Sequence, residues 1–70
     1  MKWQKLDDSA IEGFDGECYA RIWRDSPDLF GFDAAIHGFW TTGTVPTSEL
    51  AKKLIRTFTE SMREHIKWKK

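Results

Sequence analysis

Cys18, His37, His65 and the adjacent pair Asp7-Asp8 are the side chains that could move a proton, attack a carbon or hold a metal. A nucleophilic cysteine needs a base within hydrogen-bond reach and a lowered pKa. Cys18 falls instead on the apolar side of a strand-like run, where a small thiol packs as a hydrophobe. His37 and His65 stand far apart on different expected elements, and two histidines with one cysteine match no standard zinc spacing. Asp7-Asp8 lies in a polar segment with no pocket in evidence. The five glycines are scattered over turns and strands and form no phosphate-cradling loop. These residue types in this arrangement read as a non-enzyme with no cofactor and no metal.

The elements that must position these residues follow from periodicity. Asp15-Gly16 between two strand-like runs is a hairpin cue, pairing Phe14 with Glu17 and Glu12 with Tyr19. In the run from Glu17 to Arg24, alternation puts Cys18, Ala20 and Ile22 on one face. Glu17, Tyr19, Arg21 and Trp23 take the other. Pro27 ends that strand. A third strand is expected within residues 30–41, with Phe32, Ala34, Ile36 and Trp40 on one face and Asp33, Ala35, His37 and Phe39 on the other. Gly31 and Gly38 would mark bends or bulges there. Residues 3–6 either add a fourth strand or lead into Ile11. The segment from Thr41 to Pro46 reads as a loop.

Thr47 is placed as a helix N-cap, with Glu49 in the first turn at the positive end of the dipole. Ala51, Leu54, Ile55, Phe58, Met62 and Ile66 then recur at helical spacing as one apolar stripe. The closing Lys67-Trp68-Lys69-Lys70 suits the negative end. The expected fold is a single α+β domain over residues 1–70. It has three, possibly four, antiparallel strands (about 9–14, 17–24 and 30–41) and one amphipathic C-terminal helix (about 48–66) packed on one face.

Seventy residues make a small core, which four Trp, five Phe and one Tyr help to fill. A single cysteine excludes a disulfide scaffold, and the N-terminus has no apolar run suited to a signal peptide. No stretch approaches a membrane span. A cytoplasmic setting is expected. Net charge is zero but unevenly spread: four bases against eight acids through Pro46, then seven bases against three acids. That asymmetry suits attraction between sheet and helix, or a basic surface on the helix.

One helix covers one face of a thin sheet. The other face is expected to show Phe14, Tyr19, Trp23 and Phe39 among Arg21, His37, Glu12 and Asp33. Rings set among charges are the composition of interface hot spots. The site therefore expected is a partner-binding face of Phe14, Tyr19, Arg21, Trp23, His37 and Phe39. The partner would be another protein or a second copy of the chain. The alternative is a cover made by Trp3 and Leu6. Stacking of nucleic-acid bases is disfavoured, because that face holds as many acids as bases.

The strand Tyr19–Ile22, the pair Phe39-Trp40 and the stretch from Thr42 to Leu54 resemble a pattern common in short phage and prophage proteins. There a β-meander passes through a Gly-Thr loop into a helix opening Ser/Thr-x-x-x-Ala. The resemblance implies an accessory protein that binds and modulates a host protein, including components of defence systems. Asp15-Gly16, Tyr19, Pro27-Asp28-Leu29 and Gly31 are also similar to the small domain of HicB-type antitoxins, although residues 32–41 are too long for that pattern. This second resemblance implies binding to a toxin.

Overall fold

Four two-residue turns divide the first 45 residues into five strands. These are β1 (Lys2–Asp7), β2 (Ala10–Asp15), β3 (Cys18–Ser26), β4 (Leu29–Ile36) and β5 (Phe39–Val45). A single helix, α1 (Ser48–Trp68), follows. The computed structural model describes residues 1–68, with side chains through His65. The strands form one open antiparallel meander in the order β1-β2-β3-β4-β5, and α1 crosses one face over β3, β4 and β5. The architecture is the expected α+β sheet with one C-terminal helix on one face, built from five strands rather than three or four.

Each turn has a local cause. Asp7 Oδ1 accepts hydrogen bonds from the Ser9 backbone N–H (2.7 Å) and hydroxyl (3.0 Å), the self-closing geometry that makes aspartate a turn residue. Gly16 has φ 61° and pairs with an ordinary Glu17, the signature of a type II′ turn. The β2–β3 register therefore closes on Asp15↔Cys18 and sets Phe14 opposite Tyr19 and Glu12 opposite Arg21. This corrects the expected pairing by two positions along β3. A two-residue slip preserves every side chain's face.

The expected single strand over residues 30–41 is instead a hairpin. His37 and Gly38 both take positive φ, 49° and 83°, as a type I′ turn demands. Histidine tolerates that region better than most non-glycine residues. The turn reverses the chain and resets the alternation, so Trp40 stands opposite Ala35 and Phe39 opposite Ile36. The segment expected as a loop, Thr41 to Val45, is the body of β5. Its threonines and valine are good strand formers that the glycine obscured.

The core is the face assigned by alternation. Cys18, Ala20, Ile22, Phe32, Ala34 and Ile36 are buried, and Ala51, Ile55 and Thr59 of α1 press onto them. Small side chains on the strands let the helix approach closely. Thr47 caps α1 as expected: its Oγ1 accepts from Leu50 N–H at 3.1 Å. The apolar stripe needs one correction, since Leu54 is 42% exposed. The buried line runs Ala51–Ile55–Thr59, at steps of four, and Leu54 falls a quarter-turn off it. Ile66 and the closing basic residues lie outside the described side chains.

Candidate protein-contact face

The register assembles the uncovered face row by row. One row crosses Phe14, Tyr19, Ala35 and Trp40, the next Glu12, Arg21, Asp33 and Thr42, and the third Ala10, Trp23, Gly31 and Thr44. Within this row the Phe14 and Tyr19 rings lie 5.1 Å apart, tilted by 57°, and Ala35 separates Tyr19 from Trp40. Trp40 is 70% exposed, and Phe14 is 45% exposed. A shallow hollow of about 280 Å³ opens between Tyr19, Arg21, Asp33 and Trp40.

The charged groups of the polar row are each hydrogen-bonded, two acids to one base. Arg21 Nη2 donates to Asp33 Oδ2 at 3.1 Å, and its guanidinium sits 5.3 Å from the centre of the Trp23 ring. Tyr19 Oη donates to Glu12 Oε2 at 3.1 Å, and Gln4 Nε2 donates to Glu12 Oε1 at 2.6 Å. Burial, and then the bond to Glu12, raises the Tyr19 phenol above its ordinary pKa. The phenol is therefore held protonated as a donor. Such a face presents rings and paired hydrogen-bonding groups rather than a field of one sign.

Of the residues expected on this face, Phe14, Tyr19, Arg21 and Trp23 lie there. His37 and Phe39 do not. His37 occupies the β4–β5 turn, where Nε2 lies 3.1 Å from Glu17 Oε1. Phe39 points to the helix side, its ring 5.7 Å from that of His65 in an edge-on contact. Trp40 takes the place they were expected to hold. The signal that locates it is the His37-Gly38 pair: read as a turn, it inverts the parity of every later residue. Trp3 and Leu6 do not cover the open face either. Trp3 packs on the helix side against the core, and β1 extends the sheet at its edge.

The groups that could carry chemistry stay dispersed. Cys18 is buried, with Sγ 3.3 Å from Thr59 Oγ1. The Thr59 hydroxyl donates to the Ile55 carbonyl at 2.9 Å, so its one proton is committed and the thiol is the donor to it. Among the described residues no three His, Cys, Asp or Glu side chains gather as a metal site, and no helix is long and apolar enough to cross a membrane. The basic flank of α1 is partly engaged within the fold. Arg63 Nη1 lies 3.1 Å from Asp15 Oδ2, Arg63 Nη2 donates to the Asp15 carbonyl at 3.0 Å, and Lys52 Nζ sits 5.5 Å from the centre of the Trp3 ring. Beside them runs a groove of about 190 Å³.

The fold and this face define an open antiparallel meander backed by one helix, with an aromatic surface on its bare side. Comparison with known protein families, curated proteins and solved structures gives no match to the chain.

Proposed function

We propose that this chain is a non-catalytic protein-binding module whose working surface is the open sheet face of Phe14, Tyr19, Arg21, Trp23 and Trp40. The observation that carries the reading is an aromatic row on the sheet, with Phe14 and Trp40 exposed and no described element above it. Burying large rings against a partner releases water from apolar surface at little entropic cost, since strands already fix the backbone. The Arg21–Asp33 pair within that surface supplies directional hydrogen bonds to a partner's polar groups. The phage-type pattern of meander, Gly-Thr segment and helix supports an accessory protein that engages and modulates a host protein.

Charge argues against nucleic acid as the ligand of this face. Arg21 is tied to Asp33, and Glu12 adds a further negative group, whereas phosphate binding calls for a dense cationic field.

The test is affinity capture from a host lysate with wild type and a Tyr19→Ala/Trp40→Ala double variant. The expected result is a discrete partner held by wild type and lost from the variant, with the circular dichroism spectrum unchanged. Equal capture by both removes the face from the mechanism. Oligonucleotide binding that falls steeply with salt would transfer the function to nucleic acid.

A further inference from the structure

The two edges of the sheet are unlike. β1 is defended: Lys2 and Lys5 put charge along it, and its pairing is broken by a register shift between Lys5 and Asp7. These are the devices by which edge strands avoid pairing with another chain. β5 has none of them. Phe39 to Val45 carries no charge and no bulge, and all seven residues pair in unbroken register with β4. The His37-Gly38 loop closes on the pair Ile36↔Phe39, so antiparallel alternation turns Phe39, Thr41, Gly43 and Val45 toward β4. Trp40, Thr42 and Thr44 therefore direct their backbone N–H and C=O groups outward from the sheet. No other strand of the described residues meets them.

The flank of α1 above this edge matches it. Phe39 touches His65, which fixes the β5-facing side of the helix. At 3.6 residues per turn, Leu54, Phe58 and Ser61 lie on that side, with Leu50 and Thr57 just above. Leu50 and Leu54 are 39% and 42% exposed. The opposite flank, toward Met1 and Trp3, carries Lys52, Arg56, Glu60 and Arg63. The helix is thus charged toward the defended edge and apolar or neutral toward the open one.

We propose that β5 is a dimerisation edge, and that its occupant is β5 of a second copy of this chain. A two-fold axis through Thr42 sets Thr42 against its own copy and Trp40 against Thr44 of the second copy. Every outward backbone group of those residues then has a partner. The axis stands perpendicular to the sheet, so both helices lie on the same side and run in opposite directions, the Leu50–Leu54 end of one turned toward the Ser61–His65 end of the other. An isologous interface presses one patch against its own copy, with residues near the axis meeting their duplicates, so a patch of like charge there would repel. This edge and this flank are free of fixed charge, which is what self-pairing requires. A single extended peptide would satisfy the strand edge but leave Leu50 and Leu54 bare. Dimerisation makes one ten-strand sheet, joins two aromatic faces side by side, and supports a small core from outside. The inference is independent of what the open face binds.

Sedimentation equilibrium across a concentration series tests it, on wild type, Thr42→Lys, Leu54→Lys and Tyr19→Ala. Both lysine positions are exposed, so the fold is expected to persist, as read by circular dichroism. Wild type and Tyr19→Ala should show twice the chain mass, and each lysine variant should fall to the mass of one chain. A wild-type protein that stays at single-chain mass at its highest attainable concentration overturns the proposal. So do folded lysine variants that keep the doubled mass. Loss of dimer in Tyr19→Ala alone would move the interface to the open face and equally overturn it.

Discussion

Trp23 and Gly31 stand directly opposite one another in β3 and β4, and the indole occupies the place a side chain at Gly31 would take. A Cβ at Gly31 would overlap the Trp23 ring. The relationship recurs. Trp3 faces Gly13 across β1 and β2, with ring atoms 2.8 Å from a Cβ there, and Phe32 faces Gly43 across β4 and β5 at 3.1 Å. Glycine weakens a strand because it contributes nothing to pack. A cross-strand ring laid over it restores that contact and hides the backbone. The Trp3 and Phe32 pairs tie down the helix side, and the Trp23 pair anchors the open face.

Gly31→Ala should therefore expel the Trp23 ring from its seat. The half-buried indole has open space to swing into, so the cost should be that of moderate overpacking, about 1–3 kcal/mol in a urea titration. The Trp23 indole N–H resonance should shift, and partner capture by the open face should weaken. Gly43→Ala should cost less, since its closest contact is looser. A Gly31→Ala protein with wild-type stability and an unmoved Trp23 resonance would show that the ring is not held there.

Ile55 and Leu54 are neighbours of similar size that the helical stripe treats alike, and the structure separates them. Ile55 is 1% exposed beneath the sheet, whereas Leu54 is 42% exposed. Ile55→Ala should lose about 2–5 kcal/mol, the range for a large-to-small change in a packed core. In a domain this small that is most of the stability. Leu54→Ala should cost under about 1 kcal/mol within the monomer fold. Thermal melts at low concentration, where association is weakest, compare the two cleanly. Equal losses would place Leu54 in the core.

The difference between these two residues shows what the sequence could and could not convey. Alternation in β3 separated Cys18, Ala20 and Ile22 from Tyr19, Arg21 and Trp23, because a strand has a period of two and any buried face reveals it. The N-cap at Thr47 was equally readable, because its side chain satisfies a nearby backbone donor. Leu54 was not readable, because a stripe on one helix does not say how wide a surface it meets. Trp40 and Phe39 went to the wrong faces for a different reason. Their parity depends on one turn, and His37-Gly38 carries a weaker signal than Asn-Gly although it adopts the same positive φ at both positions. β5 was hidden by Gly43, whose role is to admit the Phe32 ring rather than to break the strand.

Asp15 and Glu17 make stability acid-sensitive. The Arg63 guanidinium that bonds Asp15 holds its carboxyl below the usual carboxylate range. Glu17 is lowered by its own backbone N–H and then by His37. A carboxyl with a depressed folded pKa binds fewer protons folded than unfolded. Its contribution is complete above the ordinary carboxylate range and is lost as pH falls through the folded value. The urea midpoint should therefore drop as pH falls below about 4. Asp15→Asn should start lower at neutral pH and lose less on acidification. Parallel pH profiles for the two proteins would remove the Asp15–Arg63 pair from the balance.

His37 tests whether the β4–β5 turn is held by backbone geometry or by its side chain. Its φ of 49° is a left-handed conformation that asparagine also accepts, and Asn-Gly is the favoured pair for a type I′ turn. The imidazole contact with Glu17 at 3.1 Å is half exposed on both sides, where ion pairs contribute little. His37→Asn should therefore leave stability within about 0.5 kcal/mol of wild type, turn preference offsetting the lost contact. His37→Val places a β-branched residue at positive φ and should cost about 1–2 kcal/mol. If asparagine destabilises as much as valine, the Glu17 contact rather than the turn fixes the reversal. The parity that carries Trp40 to the open face would then depend on that side-chain contact. If asparagine is tolerated, the turn alone sets that parity, and the composition of the open face does not depend on the imidazole.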